Sequence, residues 1–444
     1  MAQRYRSLKT ATGHSDMAER RLVTVDFASV TGRIKPVHGM CNGPLSPGTD
    51  LRELFAQMGV PRVRFADAGG TQCGLYVNVS SIFPDMSADE YDPKNYRFAP
   101  TDVLIKAAAE SGAEVIYRLG ESDGGYGYAL PQNLEKWTRV CVNIIRHYND
   151  AWANGMQLGL RYFEIWAKPD TVPETGNAAV FGFFEKVAHG IKSYNPDLLV
   201  GGMGFADYGA MSREFIKYCK KKQTPLDFLS ICAYGETPDA ALAGAEKLSA
   251  YLQKSDMGHV PVHVCEWNFR GFDAASQTPA EKQARYEQLH SLSGAVFCAS
   301  VLLKMQHAQG IEAATYYDAQ PEISPLCGVC DRFGNPAKPA HAFRAFHTLY
   351  KQGQEVFCDV QGKGVDAVAS CGVRAGAVMV AVTDAPGLVD IRLQNLPEDV
   401  YSADVYIMDG VKDLVCVQTL PLLGMSRQVC IATGKYSIIL IKLY

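Results

Sequence analysis

The sequence lacks any apolar run long enough to cross a membrane. The best, Gly294–Leu303, stops at Lys304, well short of the ~20 residues a span needs. The opening MAQRYRSLKTATGHSDMAERR contains no apolar signal core, so export is not expected and the expected address is cytoplasmic. Charge of either sign is also not in excess. Lys and Arg number 43 against 47 Asp and Glu, for a net charge of −4, which gives no reason to expect nucleic acid or an anionic membrane as partner. Cysteine is present, at an odd count of 13, but lies scattered through apolar segments such as VHVC and FLSIC, and reads as reduced, buried and small. The one close pair, Cys327 and Cys330 in PLCGVCDRFG, has neither a second pair nor nearby histidines. No metal site and no cofactor are therefore expected. No internal repeat or low-complexity stretch is evident.

What is present is a β/α rhythm. Candidate strands are Val37–Cys41, Arg62–Phe65, Glu114–Leu119, Arg161–Trp166, Leu198–Gly201, Phe228–Cys232, Val260–Glu266 and Ala313–Tyr317. Helical patterns alternate with them: Thr49–Met58, Asp102–Ser111, Asn133–Ala153, Ala178–Tyr194, Ala210–Lys222, Asp239–Lys254 and a long one over Ala280–Gln309. The last opens on T-P-A-E, a capping box with proline at the first helical position. The alternation points to an α/β fold, a (β/α)8 TIM barrel over 35–350, with a doubly wound open sheet as the alternative. After Tyr350, short alternating runs at 365–371, 377–383, 388–393, 402–408, 413–419 and 435–443 predict a small antiparallel β-sandwich over 351–444. Residues 21–34 also alternate and precede the first barrel strand, so they are expected to join that sandwich as an extra strand. Residues 1–20 are read as a loose tail.

Active sites of such barrels lie at the C-terminal ends of the strands. There the sequence interleaves aromatics (Tyr126, Tyr128, Trp166, Tyr234, Trp267, Tyr316, Tyr317) with carboxylates (Asp67, Glu121, Asp123, Asp170, Glu236, Glu266, Asp318). Aromatic faces beside acceptors suit sugar rings. Each residue also has a plainer reading. A strand-end glutamate more often anchors a loop than attacks a substrate, but Glu266 follows a buried-type run and precedes Trp-Asn, which favours function. Glu164 is expected to point inward to an arginine, Arg64 or Arg118, in a structural role. His38 is balanced between binding a sugar hydroxyl and a core histidine. His290 and His307 are read as packing or surface groups, and Asp102 as a helix cap.

At these residues the chain resembles glycoside hydrolase family 39, the β-xylosidase and α-L-iduronidase family. The resemblance runs from I-Y-R-L-G-E-S at 116–122 through W-T-R-V-C-V-N-I-I-R-H-Y-N-D-A-W-A-N-G at 137–155 and Y-F-E-I-W at 162–166. It continues with L-D-F-L-S at 226–230 and V-C-E-W-N at 264–268. The resemblance implies a retaining (β/α)8 glycosidase with Glu266 as nucleophile. The family's acid/base motif W-N-E-P reads here Trp166-Ala167-Lys168-Pro169, so Lys168 stands for the general acid and Ala167 for the asparagine that binds the sugar 2-hydroxyl. The sixth strand carries Ile231, Cys232, Ala233 and Tyr234 where relatives commonly have Trp-His before Ser-Tyr. The second reads Arg64-Phe65-Ala66, without the histidine often seen there. The candidate catalytic residues are thus Glu266 and Lys168. The candidate substrate-binding residues are His38, Asp67, Glu121, Trp166, Tyr234, Trp267, Asn268 and Tyr317, with a carbohydrate as the expected ligand.

Retaining hydrolysis places two carboxyl groups about 5–5.5 Å apart. A lysine beside Glu266 holds its proton too tightly to serve as acid, because an ion pair favours both charged forms. Two functions follow: a glycosidase of altered mechanism, with Glu121, Asp123, Asp170, Glu236 or Tyr234 as substitute donors or a substrate that leaves without one, and a carbohydrate-binding pseudoenzyme; against a third, a purely structural or interaction role with a vestigial pocket, stands the aromatic and acidic richness of the strand ends. In either case Lys168 and Glu266 are expected at the barrel rim within roughly 6 Å of each other.

Overall fold

The computed structural model describes residues 19–46, 48–67, 76–121, 130–171, 176–270, 278–322, 324–397, 400–422 and 426–444. Numbered along the chain, β1 is Glu19–Arg33 and β2 is Gly39–Cys41, followed by a small antiparallel ribbon of β3 (Leu45–Ser46) and β4 (Thr49–Asp50). Next come β5 (Arg62–Phe65), β6 (Glu114–Leu119), β7 (Tyr162–Ile165), β8 (Leu199–Phe205), β9 (Phe228–Gly235), β10 (Val262–Phe269) and β11 (Ile311–Tyr316). β2 and β5 to β11 close into a parallel barrel, in the order β10-β11-β2-β5-β6-β7-β8-β9. Pairing of β9 with β10 leaves no edge, which excludes the open doubly wound sheet.

Most helices between the strands bury one face. Asn177–Tyr194, for example, buries Val180, Phe181, Phe184, Val187, Ala188 and Ile191 at helical spacing, whereas Leu292–His307 is buried on all sides from Gly294 to Leu303. The long helix expected over Ala280–Gln309 is two helices, Pro279–His290 and Leu292–His307. The capping box at Thr278 and Glu281 starts the first. Ser291 breaks the run because its hydroxyl accepts from the Gly294 amide at 3.2 Å and caps a new helix. Asp102 lies inside the first turn of Ala99–Glu110 and pairs with His147 Nε2 at 2.9 Å, so it is no cap.

Strand parity decides what reaches the barrel interior. On β5, Val63 and Phe65 join the core under the helices, so Arg64 turns inward; on β7, Phe163 and Ile165 do the same, so Glu164 turns inward. Arg64 Nε meets Glu164 at 2.6 Å, both side chains 1% exposed. On β10, Val262 and Val264 face the helices, and strict alternation would turn Glu266 outward as well. A slip in the register against β9 between Val264 and Glu266 resets the alternation. Glu266 then faces in and Trp267 faces out.

The remaining strands are β12 (Gln354–Gln361), β13 (Val365–Gly372), β14 (Ala375–Val382), β15 (Gly387–Gln394), β16 (Ser402–Met408), β17 (Val415–Pro421), β18 (Ser426–Thr433) and β19 (Ser437–Leu443). With β1 they form one nine-stranded, mostly antiparallel sheet, β17-β16-β19-β14-β13-β12-β1-β15-β18, curled round its own core. β1 sits inside it, antiparallel to β12 and parallel to β15, and contributes Val23, Val25 and Phe27 to that core. β12 and β18 had no counterpart among the expected strands. β14 and β19 are buried on both faces: Val378, Val380, Ile439 and Ile441 face the sheet's core, while Ala377, Met379, Ala381, Ile438 and Leu440 pack with the barrel. This two-sided burial explains their nearly unbroken apolar sequences. Among the described residues nine cysteines are buried as expected, but Cys416 and Cys430 are exposed and Cys358 is half-buried, all three in this sheet.

Candidate functional site

Glu266 and Lys168 meet at the C-terminal rim, Lys168 Nζ donating to Glu266 Oε2 at 2.7 Å. Two further groups hold the same carboxylate: Tyr234 Oη donates to Oε2 at 2.9 Å and Arg64 Nη1 reaches Oε1 at 3.2 Å. Glu266 is 3% exposed. Burial alone would push its pKa up, but the Lys168 and Arg64 charges and the bonds from Lys168 and Tyr234 hold it down to about 2. Burial pulls Lys168 down, yet Glu266 outweighs it and carries the ammonium above the ordinary lysine range. At neutral pH both groups are charged.

The turn that delivers Lys168 is strained. Trp166 has φ 66° and Lys168 φ 48°, left-handed values that bulky side chains avoid, at a typical cost of about 1–3 kcal/mol each. Backbone bonds hold the turn at both points, Trp166 N to Leu119 O at 2.9 Å and Lys168 N to Gly204 O at 3.0 Å. The same turn swings Trp166 away from the barrel mouth, against Trp137 and Phe183 on the surrounding helices. Trp166 is therefore no sugar platform. Trp267 is not one either, because its ring packs on Tyr316 and Phe343 in the outer core, fully buried.

His38 is likewise not brought to the site. It precedes β2, at the far end of the strand from the rim, wedged between Phe346, His347 and Tyr350. Burial, with the nearby His347, lowers its pKa to about 3, so it stays neutral, as a core histidine does. Asn268 spends its amide on the Tyr317 and Leu326 carbonyls, both at 2.7 Å, tying the segment after β11 to β10. Glu121 stands at the end of β6 but bonds the Ser80 amide at 2.9 Å and the Ser80 hydroxyl. Burial pushes its pKa up against those bonds. Asp170 accepts from the Ala206 and Asp207 amides, and Glu236 faces an outer cleft. Asp123, Tyr126 and Tyr128 lie outside the described residues.

Asp67 and Tyr317 do reach the mouth. Tyr317 Oη donates to Asp67, and the Lys168 ammonium lies 6.0 Å from the Tyr317 ring centre. Behind them sits a group outside the candidate binding set. Asn42 donates to Asp67 at 2.6 Å and lies 3.5 Å from Asp318, which also accepts from Gln320 at 3.0 Å. Burial first, then the charge of Asp67, push Asp318 up to about 7 from an ordinary 3.8. A raised carboxyl contributes stability at pH below its unfolded value and loses it as pH rises through the folded one. Replacing Asp318 by Asn is accordingly expected to flatten the melting-temperature profile between about pH 4 and 8. A difference from wild type that stays constant across that range would refute this. Asp318 had one signal in the sequence, its place directly after Tyr316-Tyr317 at a strand end; Asn42 had the corresponding place after β2.

Among the described residues, no group of three or more His, Cys, Asp or Glu side chains could hold a metal ion. Cys327 and Cys330 lie with their sulfurs 3.8 Å apart, buried. No helix among those residues is long and apolar enough to cross a membrane.

Residues 122–317 match the family model for glycosyl hydrolases of family 39. The chain is 25% identical over 209 residues to a β-xylosidase of Geobacillus stearothermophilus, a stretch that covers 41% of this chain and only 40% of that protein. In fold it is similar to a glucosidase from Croceicoccus marinus, with a TM-score of 0.79 at 19% identity over 96% of this chain and 99% of the other. It is similar also to the GH39 enzyme from Xanthomonas axonopodis pv. citri, with a TM-score of 0.73 at 17% identity over 97% and 99%.

Proposed function

From its place among the family 39-like glycoside hydrolases, we propose that this chain cleaves the glycosidic bond of a carbohydrate with Glu266 as nucleophile and no carboxylic acid opposite it. The reading rests on one observation, the Lys168–Glu266 contact of 2.7 Å at the barrel rim. Glu266 is anionic and aimed by Tyr234 and Arg64, which keeps a carboxylate oxygen ready for the anomeric carbon. Attack forms a glycosyl ester and breaks the bond to the leaving oxygen. As Glu266 becomes a neutral ester, the Lys168 charge loses its partner and stabilises the departing oxyanion electrostatically instead of protonating it. Water then hydrolyses the ester and restores Glu266. Asp67 and Tyr317, at the mouth, are the groups left to bind sugar hydroxyls.

This chemistry favours substrates whose leaving group is acidic or anionic. With aryl glycosides, turnover is expected to fall steeply as the phenol becomes less acidic, by about 10²–10⁴ from activated aryl to alkyl glycosides of the same sugar. The check is kcat/KM across a leaving-group series, with product stereochemistry recorded. A flat series would mean that another group supplies the proton. The second reading, a carbohydrate-binding pseudoenzyme, draws on the same contact: both oxygens of Glu266 are already engaged and the carboxylate is almost wholly buried. Measurable sugar binding without turnover of any aryl glycoside would favour it.

A further inference from the structure

A second cleft, of about 510 Å3, lies outside the barrel between the helices that follow β9 and β10 and the turns of the curled sheet. Its size falls within the ~300–1,000 Å3 of small-ligand sites. It adjoins the barrel mouth through the chain itself: Glu236 closely follows Tyr234 and Phe269 closely follows Glu266. Both the barrel and the sheet build its walls. Phe269, half-buried and edge-to-face on Phe297 at 5.5 Å, lies on the barrel side, and half-buried Tyr436, from the turn between β18 and β19, lies on the sheet side. Lys304 ties the two together, reaching Asp239 at 2.8 Å and Asp366 at 3.2 Å. The cleft is thus preformed, which lowers the cost of ordering it around a ligand.

Its charge selects the ligand class. Three carboxylates, Glu236, Asp239 and Asp366, face one cation, Lys304, so an anion is disfavoured. Glu236 and Asp239 are exposed acceptors, and the half-buried aromatic rings offer apolar faces. Hydroxyl donors on a neutral ring with apolar C–H faces match both features. We propose that this cleft binds a neutral oligosaccharide, seating sugar units beyond those held in the barrel. That the ligand is a saccharide rests on the proposed function; the place and charge of the cleft do not.

The test is calorimetric titration of the full chain with xylohexaose and cellohexaose, each compared with its disaccharide. Tyr436→Ala, Glu236→Gln and the cleft-filling Thr383→Trp are expected each to weaken hexasaccharide binding by about tenfold. Disaccharide binding, and turnover of an aryl glycoside, should stay within about twofold of wild type, since none of these residues lies in the barrel mouth. Glu236→Gln is an exposed, shape-preserving change, which guards against a result that reflects misfolding. Equal effects on hexasaccharide and disaccharide, no effect on either, or no hexasaccharide binding by the wild type would overturn the proposal. Because the binding measurement needs no turnover, an inactive wild type would count against the proposed reaction and leave the cleft's result readable.

Discussion

Replacing Glu266 by glutamine is expected to lower turnover of an activated aryl glycoside by about 10⁴-fold or more. The substitution keeps the shape of the side chain and removes the oxygen charge that the proposed attack requires. Tyr234 can still donate to the remaining carbonyl oxygen, so the position of the side chain should survive. Stability should fall too, because Lys168 and Arg64 lose a shared counter-charge; Arg64 keeps Glu164 at 2.6 Å, and the Lys168 side chain, 32% exposed, keeps some access to water. The loss should therefore lie below the ~3–5 kcal/mol seen when a fully buried pair is broken. Steady-state kinetics alongside thermal melting separate the two effects. Turnover that survives in a folded variant would move the chemistry to another carboxylate, with Glu121 the next to test.

Lys168→Glu should change the choice of substrate more than the rate on activated ones. A carboxyl placed beside Glu266 meets a like charge in a buried setting, and one of the two must then hold a proton near neutral pH. That proton is what a poor leaving group needs. Activity on alkyl glycosides is expected to rise by up to about 10²-fold, short of the ~10⁴ that a well-placed acid can supply. The gain is limited because Ala167 offers no amide to the sugar's 2-hydroxyl. The pH profile of kcat/KM should acquire a falling alkaline limb as the new acid ionises. An alkyl-to-aryl ratio unchanged from wild type would show that residue 168 does not face the leaving group. A collapse of natural-substrate turnover in Lys168→Ala would instead make the lysine itself a working acid.

The repeating patterns of the sequence are local, and they carried the local conclusions. Short β-rich runs located all eight barrel strands, and their alternation with helical periods selected the barrel class. Once that class is known, Glu266 and Lys168 must share a rim, since both close a parallel strand at its C-terminal end. Parity within β5 and β7 was enough to turn Arg64 and Glu164 toward each other.

Other features depended on contacts between distant segments. The slip between β9 and β10 that turns Glu266 inward and Trp267 outward is a matter of register between two chains of hydrogen bonds, and hydropathy along either strand does not encode it. The outward swing of Trp166 follows from two left-handed residues whose conformation is held by Leu119 and Gly204. His38 read equally well as ligand or core until Phe346 and Tyr350 closed on it from a helix some three hundred residues away in sequence. The same holds for Asp318, whose proton affinity comes from burial and from Asp67 on another strand's end. Periodicity determines which face of an element is buried; which residues meet across the mouth is set by strand register and chain closure, and those are properties of the folded molecule alone.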